Sequence, residues 1–396
     1  VLLDLASKEV LGRAKEPTTY HDLGLGAARA LGRLMDASDI RPEDVVLTGV
    51  STTLATNAVV EGKGARVGLI VIGDTRAMKL PVAGAWHVNG GHKYSGEEMA
   101  PLDLSHLLAG LKELSPRVDC YAVTAAMSFV NASHEQVAAK AISLADPKPV
   151  FLSSEISSKA GMEERAATAV LHARLMPVMQ NFLECTREAL TSLGVTCPIH
   201  ILRGDLGLMD VAEAGDRAAM TVASGPAASV HYGSLAAPSP EHVVVDVGGT
   251  TTDVTMILDH EPAMTQEGAL IGGLRTHIPS VEMSTAGVGG DSYVRMHDAT
   301  LHLGPERVLP VCMAGTLPDP EEWIASGQTS RLIRLAPGNP AGDSLVEQTL
   351  KESGPITPGN LAKRLNLSRV RLNGMLEPLL RRRLVQETGF TPTDAL

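Results

Sequence analysis

Short aliphatic and β-branched runs alternate with stretches of helical apolar spacing through the first three hundred or so positions of the chain. This is the pattern of an α/β fold, in which period-2 or fully apolar segments form strands and period-3.6 segments cover them. Candidate strands are Val1–Leu5, Val45–Val50, Val67–Ile72, Tyr121–Ala125, Val150–Leu152, His200–Leu202 and Val243–Val247. Leu23, Ala27, Ala30, Leu31 and Leu34 fall on one helical face. The longest helical stretch runs from Met162 toward Leu193, with Pro177 expected to kink it and Gly194 to stop it. These elements suggest one lobe over 1–160 and a second over 161–335. After Pro337 the Pro-Gly-Asn-Pro linker leads into an appendix over 344–396, expected to hold short helices and no strands. Its Ile356 to Ser368 segment looks like the start of a helix-turn-helix.

Composition narrows the function classes. The 396 residues carry 34 Lys plus Arg against 45 Asp plus Glu, a net charge of −11, which repels nucleic-acid backbones. Aromatic residues make up 3% of the chain, so platforms for stacking bases are scarce. No apolar run approaches the roughly 20 residues of a membrane-spanning helix. Four scattered cysteines without a CxxC pair point to reduced thiols and a cytoplasmic protein. The appendix has eight basic against five acidic residues, and docking is expected of it rather than DNA reading.

The most informative segment is Val243 to Ile257, where an apolar strand ends in Asp246, Gly248 and Gly249 make a turn, and Thr250, Thr251 and Thr252 precede Asp253. Glycines let backbone N–H groups approach phosphate oxygens, threonine hydroxyls add donors, and Asp246 or Asp253 can hold Mg²⁺. The plain alternative is a hairpin turn whose polar residues face water; the ordered combination of acid, glycines and hydroxyls favours a phosphate loop. A second cluster, Gly287, Gly289 and Gly290 followed by Asp291 and Ser292, suits close approach to a nucleotide, or else a helix entry capped by Asp291 or Ser292. Ser224-Gly225-Pro226 reads equally as an anion-facing helix start or a self-capping one. Asn57, after a run of hydroxyl residues, and His92, in a glycine-rich loop, are candidate substrate contacts. For Asn57 the alternative is simple capping, and for His92 a solvated loop histidine. No HExxH-type metal spacing is present.

With these segments in view the chain resembles the hydantoinase A/oxoprolinase family, within the actin, sugar-kinase and heat-shock ATPase superfold. The resemblance is carried by Ser51 to Ile70, Ser128-Phe129-Val130-Asn131, Leu152-Ser153-Ser154-Glu155, Ser224 to Ala228 and Phe390 to Leu396. It implies two ribonuclease-H-like lobes around a nucleotide cleft, with ATP bound there. It also implies ATP-dependent opening of a cyclic amide such as 5-oxoproline or a hydantoin, and a homo-oligomer or a second hydantoinase-type subunit as partner. Some relatives drive carboxylations instead. The family opens with a first Asp-x-Gly-Gly-Thr loop ahead of a segment like Val1 to Leu5, and relatives continue past Leu396, so the resemblance implies a chain shortened at both ends. Relatives also carry Asp-x-His before the second glycine cluster, where this chain has Glu282 and Ser284. Two rival classes are a small-molecule kinase of the same superfold and a nucleotide-sensing DNA-binding regulator.

Overall fold

The computed structural model describes residues 1–16, 23–60, 62–74, 76–265, 267–297, 300–324, 331–336, 339, 342–382 and 384–395. It is a mixed α/β structure with two compact units. One comprises Val1–His242 with Met256–Glu282, the other Val243–Thr255 with Met283–Leu396.

The first unit is built on a parallel four-stranded sheet in the order Gly84–Val88, Val67–Ile72, Cys120–Ala125, Val150–Leu152. Every residue of the two central strands is buried, as a parallel sheet covered on both faces requires. The strand period of two divides their side chains. Val67, Leu69 and Val71 face Ala166, Ala169, Val170 and Ala173 of the long helix Met162–Ser192. Ile70 and Ile72 face Leu107 and Leu111 of helix Leu104–Leu114, and Ala138 and Ile142 of helix Ser133–Ala145.

The long helix then continues through Pro177 without interruption. Its later residues Leu171, Leu175, Met179 and Leu183 pack with Ala55, Ala58, Ile201 and Met209 beside a second sheet, Thr48–Val50, Ile199–Leu202 and Leu208–Asp210. Because one helix belongs to both hydrophobic clusters, contacts do not divide near residue 160, where the apolar pattern suggested a boundary. Gly194, at φ +78°, ends the helix, its N–H donating to the Thr191 carbonyl.

Strand Thr252–Leu258, of which Thr252–Thr255 falls in the second unit, neighbours strand His242–Val247 and, for Thr252 to Val254, pairs with antiparallel Ser284–Ala286. A hairpin of Ser292–His297 and Thr300–Arg307 follows. The appendix departs from its expected all-helical character. Val385–Gly389 is the central strand of a sheet with Leu309–Pro310 and Arg331–Leu335, and Ile356 bridges to Ile333. The alternation of Val385, Gln386, Glu387 and Thr388 is too polar to advertise a strand, yet Val385 and Thr388 are buried. Helices Leu345–Ser353, Pro358–Arg364 and Arg369–Arg381 close Val346, Leu350, Leu361, Leu372 and Leu376 over Ile333 and Val385. Of the expected linker, Pro337, Gly338 and Pro340 lie outside the described residues.

Candidate functional site

Within the second unit the two glycine clusters meet. Strand His242–Val247 ends at the Gly248 turn, whose N–H donates to the Thr251 carbonyl at 2.9 Å. The Gly290 amide donates to the Gly248 carbonyl at 2.8 Å, and the Asp291 amide to the Gly249 carbonyl at 2.8 Å. A trans peptide sets its C=O and N–H on opposite sides. With the carbonyls of Gly248 and Gly249 held toward the second loop, the N–H groups of Gly249 and Thr250 are turned away from it. Among the described residues the amides of Gly249, Thr250 and Thr251 find no acceptor. Successive free N–H groups on a turn form an anion-binding nest.

Close approach explains the glycines unequally. A Cβ on Gly289 would lie 2.5 Å from the Gly248 carbonyl oxygen, one on Gly249 2.5 Å from Asp291 Oδ2, and one on Gly290 2.7 Å from Thr393 Oγ1. A Cβ on Gly287 would meet nothing within 4 Å, so packing does not demand a glycine there. Nor does a helix follow this cluster. Ser292 opens a strand, and its hydroxyl accepts the Gly289 amide at 2.9 Å.

The two aspartates differ in their surroundings. Asp253 is buried on strand Thr252–Leu258, where Oδ1 accepts from Thr285 Oγ1 at 2.5 Å and Oδ2 from Thr251 Oγ1 at 3.4 Å. Asp246 is half-buried, and its carboxylate has no partner among the described residues, leaving both oxygens open to a cation. Thr252 donates its hydroxyl to the Val288 carbonyl at 2.7 Å, a further tie between the loops. Asp291, paired with Arg307 at 2.8 Å, brings one more charge to the turn. Asp291 directly follows the second glycine cluster, but nothing local marks Thr285, two residues before Gly287, as the partner of Asp253.

Asn57 and His92 both belong to the first unit. Asn57 sits in helix Leu54–Val60, and its side chain lies outside the described residues. His92 is buried, with its amide on the Ala126 carbonyl and its Nε2 3.2 Å from Ser133 Oγ. Burial, and then the neighbouring His134, push its pKa down. His92, His134 and Glu98 bring nitrogen and oxygen atoms within 4.8 Å of one another. The Gly91 amide donates to His134 Nδ1 at 2.8 Å, so the ring proton resides on Nε2 and is given to Glu98 Oε1 at 2.9 Å. A metal ion on that nitrogen would need an imidazolate. His134 and Glu98 are therefore a hydrogen-bonded pair, with the His92 ring against His134 at 4.3 Å between centroids.

The Ser224 motif has a use other than the two expected. Its hydroxyl is fully buried, donates to the Thr52 carbonyl at 2.9 Å and accepts the Thr52 amide at 3.1 Å, while Thr52 Oγ1 caps Leu54. Two segments 172 residues apart are thus stitched together.

Comparison with known proteins accords with this architecture. The profile of the hydantoinase/oxoprolinase N-terminal region matches residues 1–145, and that of hydantoinase/oxoprolinase matches residues 165–315. Caprolactamase subunit alpha of Pseudomonas jessenii is 26% identical over 328 residues, covering 74% of this chain and 46% of that protein. Acetophenone carboxylase gamma subunit of Aromatoleum aromaticum is 25% identical over 352 residues, covering 78% and 47%. The chain thus spans about half the length of these curated relatives. 5-Oxoprolinase of Saccharomyces cerevisiae is 26% identical over 45% of this chain and 14% of its own length. The fold matches nucleotide-free acetone carboxylase with a TM-score of 0.63 at 19% identity, covering 74% of this chain and 47% of that one. It matches the ATP-dependent caprolactamase of Pseudomonas jessenii with a TM-score of 0.62 at 23% identity, covering 93% and 58%. With the two profiles together covering most of its length, the chain belongs to the hydantoinase/oxoprolinase family.

Proposed function

We propose that this chain is the nucleotide-handling part of an ATP-dependent enzyme that opens a cyclic amide of the 5-oxoproline or hydantoin kind. The observation that carries the reading is the Gly248–Thr251 turn, where the amides of Gly249, Thr250 and Thr251 are free and those of Gly249 and Thr250 face away from the loop that braces it. That nest suits a polyphosphate, and the unpartnered Asp246 carboxylate beside it suits Mg²⁺. An amide carbonyl is a poor electrophile. A phosphoryl group from ATP on its oxygen would let water add to the carbon and the ring C–N bond break, with the nitrogen taking a proton. A second water would then hydrolyse the resulting acyl phosphate to carboxylate and free phosphate. The chain's own part is positional and electrostatic. Gly249, Thr250 and Thr251 hold phosphate oxygens through N–H groups, and Asp246 holds the cation. Asp253, kept in place by Thr285, sets the negative field on the same strand pair. Gly289 and Gly290 keep the turn in shape.

The relatives named as subunits support a second polypeptide that completes the ring-opening site. The unpaired cysteines suit the cytoplasm. The test is a phosphate-release assay on the full-length protein with its partner, with Mg²⁺ and ATP, across a panel of lactams and hydantoins. Ring-dependent release of free phosphate is expected. A stable phosphorylated substrate would identify a kinase instead, bicarbonate-dependent turnover would identify a carboxylase, and no nucleotide turnover under any condition would overturn the reading.

A further inference from the structure

The Phe390 to Ala395 segment follows strand Val385–Gly389 and ends against the second glycine turn. The Phe390 carbonyl accepts the Val294 amide at 2.8 Å, and the Phe390 ring stacks on Trp323 with centroids 5.5 Å apart. Beyond it the chain folds on itself: the Asp394 carboxylate accepts from the Thr391 amide at 2.8 Å, the Thr391 hydroxyl at 2.9 Å and, from a separate segment, the Cys312 amide at 2.7 Å. This closed turn presents Thr393, whose hydroxyl and amide both donate to the Gly290 carbonyl, at 2.8 and 3.0 Å.

The Gly290 carbonyl and the Asp291 N–H belong to one planar peptide group. One edge of that group is held by Thr393 and the other by the Gly249 carbonyl. Gly290 has no side chain to restrain its side of this peptide plane, whereas the Asp291 side chain on the other side is tied to Arg307. Once the plane is pinned, the Asp291 amide points at Gly249, and the Thr250 N–H on the adjoining peptide points away. We propose that Thr393 and Asp394 are positioning residues for the nucleotide turn: Asp394 closes the terminal turn, Thr393 fixes the Gly290–Asp291 peptide, and that peptide aims the anion-binding amides. The inference rests on the reading of Gly248–Thr251 as the phosphate site.

Two measurements on the full-length protein separate the clip from the site it serves. The first is amide hydrogen exchange at Gly290 and Asp291 without nucleotide. The second is calorimetric affinity for a non-hydrolysable ATP analogue with Mg²⁺. Thr393→Val removes the hydroxyl at nearly constant volume and is expected to speed exchange and weaken binding by about tenfold, the worth of one hydrogen bond. Thr393→Ser restores the donor and is expected to return both to the parent values, with thermal melting confirming the fold in each variant. Unchanged exchange in Thr393→Val overturns the clip. Faster exchange with unchanged affinity overturns its positioning role. A parent protein that binds no nucleotide overturns the phosphate-site reading, whatever the exchange data say of the clip.

Discussion

Gly290 gives its amide to the carbonyl of Gly248 across 2.8 Å, and that bond makes one structure of two loops some forty residues apart in sequence. A carbonyl held on one side of a peptide leaves the N–H exposed on the other. The same geometry recurs one residue on, between Asp291 and Gly249. The nest is therefore a property of the paired loops.

Glycine substitutions test this pairing directly. Gly289→Ala would place a methyl group 2.5 Å from the Gly248 oxygen and 2.7 Å from the Gly249 carbonyl carbon, so backbone must move. We expect loss of nucleotide affinity by at least about tenfold and a lower melting temperature. Gly287→Ala, in open space, is expected to stay close to the parent in both. Calorimetry and thermal melting on the two variants check the contrast, and equal behaviour would refute it.

The carboxylates divide by environment. Asp253→Asn keeps an acceptor for Thr285 and so should keep the fold, yet it removes negative charge beside the turn. ATP hydrolysis is expected to fall by about 10²-fold or more. Asp246→Asn is expected chiefly to raise the Mg²⁺ concentration needed for half-maximal rate. A Mg²⁺ titration of each variant measures this, and rates equal to the parent at every concentration would remove both residues from the site.

Acid sensitivity follows from Asp119. The Arg66 side chain, then the Arg66 amide, hold its carboxyl down to about 2, from an ordinary value of 3.8. A depressed folded-state pKa adds stability above the unfolded value, and this is lost as pH falls from about 4 toward 2. The pair is well exposed, so the effect is small and salt-sensitive. Denaturation curves of the parent and Asp119→Asn should differ at neutral pH and low salt and converge toward pH 2; a gap constant with pH would contradict this.

Thiol labelling should rank two cysteines. Burial pushes the Cys120 thiol up to about 12, leaving it protonated and unreactive at pH 8. Cys312 is exposed, and although its hydrogen bond to Asp394 raises its pKa, a reagent can reach it. Mass spectrometry after brief labelling is expected to find Cys312 modified and Cys120 untouched in the folded protein.

The appendix is expected not to hold duplex DNA at physiological salt. Its helices bury their apolar faces in their own core around Ile333 and Val385, the chain carries −11, and its last strand serves the Thr393 clip. A gel shift at about 150 mM salt checks this, where even nonspecific binders reach micromolar affinity. A retained complex that is lost on changing Arg369 and Arg371 to Ala would restore the regulator reading.

Sequence alone determined the elements whose chemistry is local. Val67–Ile72 and Val150–Leu152 appear with the bounds their apolar runs predict, Met162 starts the long helix, and Gly194 ends it, since φ preference and burial act over a few residues. Gly248, Gly249 and their threonines were legible as a turn for the same reason. Tertiary structure alone decided who meets whom. That Gly289 presses on Gly248, that Thr285 rather than solvent satisfies Asp253, and that Ser224 bonds to Thr52 depend on register and loop closure over long separations. A polar residue's partner leaves no periodic trace, and Thr388 and Thr391 are buried in a stretch that reads as surface. Nor could composition reveal that one helix would serve two hydrophobic clusters, since its apolar residues wind around the axis and their neighbours come from strands far along the chain.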